Sequence, residues 1–215
     1  MKKQHLLTEL YAIKKLIMVS GDDWTARQTA IAKINALTEA IAAKPSTNEE
    51  WYTPPWIIER ARVMFGGDID LDPASNANAQ QWIRAKTHFT KRDDGLSQDW
   101  MPYRTIWCNP PYGKKTQPFL EKGLQTYNAR SPLNSMMDRQ LLFLVNRTGA
   151  TWYRELRPKF TAICEIHKRV AFIDQNGVTQ TAPRYYNDLL YLGCRPDRFE
   201  QVFHDIGDIT VFRDR

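Results

Sequence analysis

The sequence predicts an α/β fold, and three observations predict it. Apolar runs at 105–108, 140–145 and 189–192 have the length of buried strands. They alternate with segments of helical character such as 117–127 and 151–156, which argues for a mostly parallel sheet. Further short runs at 162–166, 170–173 and 209–212 crowd together late in the chain, so an antiparallel region is expected there. With 215 residues, 42% of them hydrophobic, the chain can bury one sizeable core.

The elements follow in order. Leu6, Leu10, Ile13 and Ile17 follow a 4-3-4 spacing that Gly21 ends, and Asp22 or Asp23 can cap a second helix carrying Ile31, Ile34, Leu37 and Ile41. Residues 1–45 thus read as a helical hairpin ahead of a main domain at 46–215, with a linker at 44–48. Thr53 can serve as N-cap and Pro54 as first position of a helix that Gly66-Gly67 stops. A short strand at 68–71 leads into Asp72-Pro73-Ala74-Ser75, followed by a helix near 76–85, a strand at 87–90 and a polar turn at Asp93-Asp94-Gly95. The strand at 105–108 ends at a double proline, a loop spans 128–138, Gln175-Asn176-Gly177 reads as a hairpin turn, and a short helix covers 197–204.

Composition narrows the class. The chain holds 30 Lys and Arg against 24 Asp and Glu, a net charge of +6 that suits a polyanionic partner. Basic residues are dense at 86–92 and at His167-Lys168-Arg169. Cys108, Cys164 and Cys194 lie far apart in apolar segments and read as reduced core residues, and none of the four histidines has metal-ligand spacing. No apolar run reaches the ~18 residues that span a bilayer, and no signal-peptide pattern opens the chain, so a cytoplasmic protein is expected.

The chemistry concentrates in Asn109-Pro110-Pro111-Tyr112, placed where the 105–108 strand ends. That edge of an open α/β sheet is where ligands bind. The Asn109 side-chain carbonyl and the Pro110 main-chain carbonyl can both accept from one exocyclic NH2 group. Two acceptors free the amine lone pair and offset the positive charge that develops when a methyl group arrives. Tyr112 can stack on the base that bears the amine. This is the pattern of amino-methyltransferases.

Three further segments add to it. Asp70 and Asp72 straddle Leu71 and point to one side of a strand, and a carboxylate at its end can accept from a ribose or an ammonium. Pro73 and Ala74 open a small-residue turn, and the lack of Gly-x-Gly disfavours a nicotinamide or flavin site. Trp51-Tyr52-Thr53-Pro54-Pro55 sits one helix earlier and can fold over the same pocket. A carboxylate at Asp94 can accept from the adenine amine of a cofactor, or the turn is plain surface.

These motifs, in this order, resemble the phage-type DNA N6-adenine methyltransferases (Dam-like) over roughly residues 51–193. The matching stretches are Trp51–Pro55, Asp70–Ser75, Asp94-Gly95-Leu96 and Trp107–Gly113. Phe143–Arg147 resembles the strand after the catalytic loop, and Lys168–Phe172 the basic-aromatic segment near the family's end. The resemblance implies a Rossmann-like sheet with helices on both faces, using S-adenosylmethionine. Tyr52, Thr53, Pro54, Asp70, Asp72, Pro73, Ala74, Asp94 and Asn109 then line the cofactor site, and Asn109, Pro110, Pro111 and Tyr112 form the catalytic turn. Arg147, Lys168 and Arg169 are the expected DNA contacts, with loops 128–139, 174–187 and 195–205 as DNA-facing candidates. The chain departs from methyltransferases at large in lacking the glycine-rich loop, and one edge strand is expected to be abbreviated or missing. RNA adenine, a protein glutamine amide, or DNA binding without catalysis are the rival functions. The hairpin at 1–45 reads as a packing appendage, a homodimerisation element or a DNA-contacting arm.

Overall fold

Apolar strands that alternate in side-chain direction need cover on two faces, and the molecule supplies it from two helix pairs. The computed structural model describes residues 51–129, 139–174, 177–181 and 183–212. The expected hairpin at 1–45, most of the 128–138 loop and Gln175-Asn176 lie outside the described residues. The described chain runs α1 (Pro55–Phe65), β1 (Leu71–Asp72), α2 (Gln80–Ile83), β2 (Thr87–His88), β3 (Thr105–Cys108), α3 (Thr116–Asn128), β4 (Gln140–Asn146), α4 (Thr151–Leu156), β5 (Ala162–Ile166), β6 (Asn187–Leu192), α5 (Pro196–Phe203) and β7 (Gly207–Val211).

The seven strands form one sheet in the order β2-β1-β3-β4-β6-β5-β7. Pairings β1–β2, β1–β3 and β3–β4 are parallel, whereas β4–β6, β5–β6 and β5–β7 are antiparallel. The α/β class and the late antiparallel region stand as expected, but the sheet is not mostly parallel: three of its six pairings are antiparallel. β4 is the spine, with Leu141, Phe143 and Val145 on one face and Leu142 and Leu144 on the other, all fully buried. The first set packs with α3 and α4 through Phe119, Leu120, Leu124, Tyr153 and Leu156. The second packs with α1 and α5 through Ile57, Ile58, Ala61, Phe199 and Phe203.

Several local expectations are corrected. Thr53 does not cap α1: Pro54 holds the cap position, no side chain caps the helix, and Pro55 begins it, the proline's missing N–H costing nothing there. Gly66 does stop α1, at φ 79°, donating to the carbonyls of Arg62 and Val63. α2 is a single turn: Asn76 Oδ1 accepts from the Ala79 N–H at 3.0 Å just before it, and Arg84, in the left-handed region at φ 48°, ends it. β1 and β2 are two residues each, so the abbreviated edge is real, and Pro73 ends β1 because it has no N–H to donate. Residues 170–173 form no strand. Val170 and Phe172 are buried as loop residues, and only Ile173 bridges to Tyr52 and Thr179. Cys108 and Cys164 are buried thiols, but Cys194 is exposed past the end of β6 rather than in the core.

Candidate active site

The direction in which the sheet grows reverses beside β1. From β1 the chain crosses to β2 on one side and returns as β3 on the other. The crevice at the carboxyl ends of β1 and β3 is therefore a topological switch point, the place where open α/β sheets bind ligands. Asp72 closes β1 and Asn109 follows β3, so the fold brings these two segments to one edge.

Asn109 continues the alternation of Trp107 toward the α1 side, while Cys108 packs on the α3 side, where burial holds its thiol well above the usual range. The Asn109 amide donates through Nδ2 to the Trp51 carbonyl at 3.2 Å. That bond fixes which way the amide faces. Its oxygen, Oδ1, is left buried with no donor, and the Thr53 Oγ1 and Tyr112 hydroxyls are buried without a well-formed hydrogen bond as well. A buried acceptor lacking a donor costs about 1–3 kcal/mol, so three orphans on adjoining segments point to a polar ligand. Burial pushes the Tyr112 phenol pKa upward, and the nearby Asn109 side chain pulls it partly back although the two do not meet in hydrogen-bond geometry. The Tyr112 ring meets Phe172 edge-to-face at 5.9 Å. Pro110 is buried and Pro111 exposed, and the Thr116 hydroxyl donates to the Pro111 carbonyl at 2.9 Å, which ties the turn to the start of α3.

Residues 51–54 form a brace across this turn. Tyr52 exchanges two backbone hydrogen bonds with Ile173, at 2.8 and 2.9 Å, and its hydroxyl accepts from Asn76 and Asn78 at 3.4 Å each. The Trp82 indole donates to the Thr53 carbonyl at 2.8 Å. Sequence inspection assigned no site role to Trp82, Asn76 and Asn78, and Phe172 only a place in the basic-aromatic segment. Their partners lie 24 to 60 positions away, beyond the reach of any local pattern.

At the end of β1, Asp72 is buried, accepting from the Ala74 N–H at 3.3 Å and from Gln80 Nε2 at 3.1 Å. Gln80 also donates to Ser75 Oγ at 2.8 Å. Burial pushes the Asp72 carboxyl up to about 7, against hydrogen bonds from Ser75, Ala74 and Gln80 that lower it. The Asp94-Gly95 turn meets this same strand end: a Cβ on Gly95 would lie 1.9 Å from the Pro73 carbonyl oxygen. Asp94 itself is exposed in the left-handed region at φ 49°.

Asp70 sits elsewhere. Its carboxylate accepts from the Arg104 and Thr105 N–H groups at 3.2 Å each and from Lys86 Nζ at 3.0 Å. It is thus level with the start of β3, about 13 Å along the strand from the level of Asn109. There it ties β1 to β3, and the desolvation that raises its pKa is outweighed by Lys86 and Thr105, leaving it lowered. Arg147 is also internally engaged, with Nε on Asp188 Oδ1 at 2.7 Å and on Glu165 at 3.6 Å. Lys168 and Arg169 are exposed at the same sheet edge as Asn109, just past β5. A cavity of about 790 Å³ opens at the opposite edge, beside Thr161 and Gly193, and includes none of these residues. Among the described residues no helix is long and apolar enough to cross a membrane.

No curated protein and no solved structure matches the chain. A family model does match, over residues 42–192, well beyond half of the chain. Its description is DNA N-6-adenine-methyltransferase (Dam), and the chain belongs to that family.

Proposed function

We propose that the protein transfers a methyl group from S-adenosylmethionine to the N6 amine of adenine in DNA, on a Rossmann-like methyltransferase sheet. The observation that carries this is the Asn109 amide, whose nitrogen is held by Trp51 and whose buried oxygen lacks a donor at the switch point. An exocyclic amine is the ligand that such an acceptor, beside a main-chain carbonyl and an aromatic ring, is built to hold. Family membership supports adenine as the base.

The chain also fits the cofactor. Thr53 Oγ1 is a buried polar atom without a partner, and Asp72 is a buried carboxyl at the end of β1. Those two, with Tyr52, Pro54, Pro73, Ala74 and the Asp94 turn, would hold S-adenosylmethionine by accepting from its hydroxyl and amine groups. When bound, the cofactor supplies an electrophilic methyl group. Asn109 Oδ1 and the Pro110 carbonyl accept the two N6 hydrogens and favour the tetrahedral nitrogen whose lone pair attacks. The same two dipoles stabilise the positive charge that builds on N6. Prolines at 110 and 111 keep them in place, so little reorganisation is needed. Tyr112 stacks on the flipped base, replacing stacking lost from the duplex. The N6 proton then leaves to water, with no covalent enzyme intermediate.

The full chain, radiolabelled S-adenosylmethionine and duplexes of mixed sequence make the test, with N6-methyl-2′-deoxyadenosine read by nucleoside mass spectrometry. RNA and glutamine-containing peptides run alongside as acceptors. Label in DNA as N6-methyladenine is expected. Label confined to RNA or peptide, or cofactor binding without any transfer, would overturn the proposal.

A further inference from the structure

Tyr185 and Tyr186 are among the large side chains left most open to solvent, 60% and 43% exposed. They precede β6, whose first residue Asn187 pairs with Asn146 at the carboxyl end of β4. This is the sheet edge that carries Asn109, two strands across and about three residues further out, or ~10 Å along the strand direction. Tyr186 is the better anchored of the two. Its carbonyl accepts from the Arg147 N–H at 2.8 Å, and the guanidiniums of Arg147 and Arg169 lie 5.6 and 4.9 Å from its ring centroid. Arg147 is itself pinned from below by Asp188, which is fully buried and also takes the Tyr153 hydroxyl.

Exposed cations flank the ring. Arg184, Lys168 and Arg169 are exposed. The neighbouring carboxylates are occupied: Glu165 by Arg147 and Arg157, Asp188 by Arg147 and Tyr153, and Asp208 by His167. An exposed aromatic ring beside two guanidiniums and a basic rim suits a polyanion whose monomers carry flat faces.

We propose that Tyr186 is a stacking platform for a base of duplex DNA beside the flipped adenine, with Arg147 acting only as its anchor. The proposal rests on the adenine-methyltransferase function argued above. Its geometry explains why Tyr186 stands further out than Asn109: the duplex stays at the rim while a single base descends to the pocket. Holding the ring beforehand lowers the ordering cost of binding.

Fluorescence anisotropy of a labelled mixed-sequence duplex tests this, comparing the full-length wild type with Tyr186→Ala, Tyr186→Leu and Tyr186→Phe. Calorimetry with S-adenosylhomocysteine checks that each variant is folded. Loss of one base stack should weaken DNA binding about tenfold in the Ala and Leu variants. The Phe variant should bind as wild type, and cofactor affinity should not move in any. Equal DNA affinity for wild type and Tyr186→Leu would overturn the platform. Weakening in Tyr186→Phe as large as in Tyr186→Leu would overturn stacking in favour of a hydroxyl contact. If Tyr186→Ala fails to bind cofactor, the Leu and Phe pair decides. Either negative result leaves N6-adenine methylation standing, since that is judged by methyl transfer in the wild type, whereas a wild type that binds no DNA sinks both.

Discussion

Asn109 shows how one hydrogen bond sets the use of a side chain. With Nδ2 on the Trp51 carbonyl, its oxygen can only accept, and no well-formed hydrogen bond within the protein reaches it. Asn109→Ala should therefore lower kcat by at least about 100-fold, the scale of losing one preorganised charge-stabilising group, with a smaller loss of S-adenosylhomocysteine binding. Single-turnover methylation beside calorimetry separates the two, and a variant that retains transfer would remove Asn109 from the chemistry. Asp72 makes a second point at this scale. Burial raises its carboxyl to about 7 in the fold, so the native state binds a proton that the unfolded chain has released. The stabilising contribution is complete below the unfolded pKa, near 4, and is lost as pH rises toward 7. Urea unfolding from pH 4 to 8 should show this decline in wild type and a flatter profile in Asp72→Asn, differing by up to about one bound proton. If a cofactor hydroxyl or ammonium donates to ionised Asp72, wild-type affinity should rise through pH 7 and level off above it, and Asp72→Asn should lack that rise.

Elements position these residues by close approach. The turn at Gly95 presses on Pro73, and a methyl group there would meet the Pro73 carbonyl oxygen at 1.9 Å. Backbone on both sides leaves no flexible side chain to yield. Gly95→Ala should cost about 1–3 kcal/mol in urea unfolding and weaken S-adenosylhomocysteine binding by displacing the β1 end. Unchanged affinity would mean that the turn lies apart from the cofactor. This contact was invisible in the sequence, where Asp94-Gly95 reads equally well as surface. What was legible were elements whose pattern is local. α4 and β5 fall at the residues that their periodicity and flanking turns mark, and the β3 end was plain because two prolines cannot continue a strand. Residues 170–173 failed as a strand because Val170 and Phe172 are buried against other segments, and burial alone does not make a ladder. Arg147 looked like a free basic residue after a strand. Its partner Asp188 lies 41 positions on, and the ion pair exists only because β4 and β6 are neighbours.

The molecule as a whole separates structure from contact by the two edges of its sheet. Asp70, Lys86 and Arg104 join at the edge where β1 and β3 begin. The opposite edge gathers Asn109, Tyr112, Lys168, Arg169, Arg184 and Tyr186, with Asp188 and Glu165 engaged by Arg147 and Arg157. An excess of six positive charges is modest, so the placement of Lys168, Arg169 and Arg184 at the edge holding the candidate site matters more than the total. Two kinds of contact at that edge should then respond differently to salt. Each phosphate neutralised by a cation releases counterions and adds about 0.9 to the slope of log K against log salt, while stacking adds almost none. Lys168→Ala should make the slope shallower by about 0.9. Tyr186→Ala should lower affinity at every salt concentration and leave the slope as in wild type. Anisotropy titrations between about 50 and 200 mM salt resolve a difference of that size. Parallel lines for wild type and Lys168→Ala would place Lys168 off the phosphate backbone, and a shallower line for Tyr186→Ala would mean that the ring serves to aim Arg169 at a phosphate.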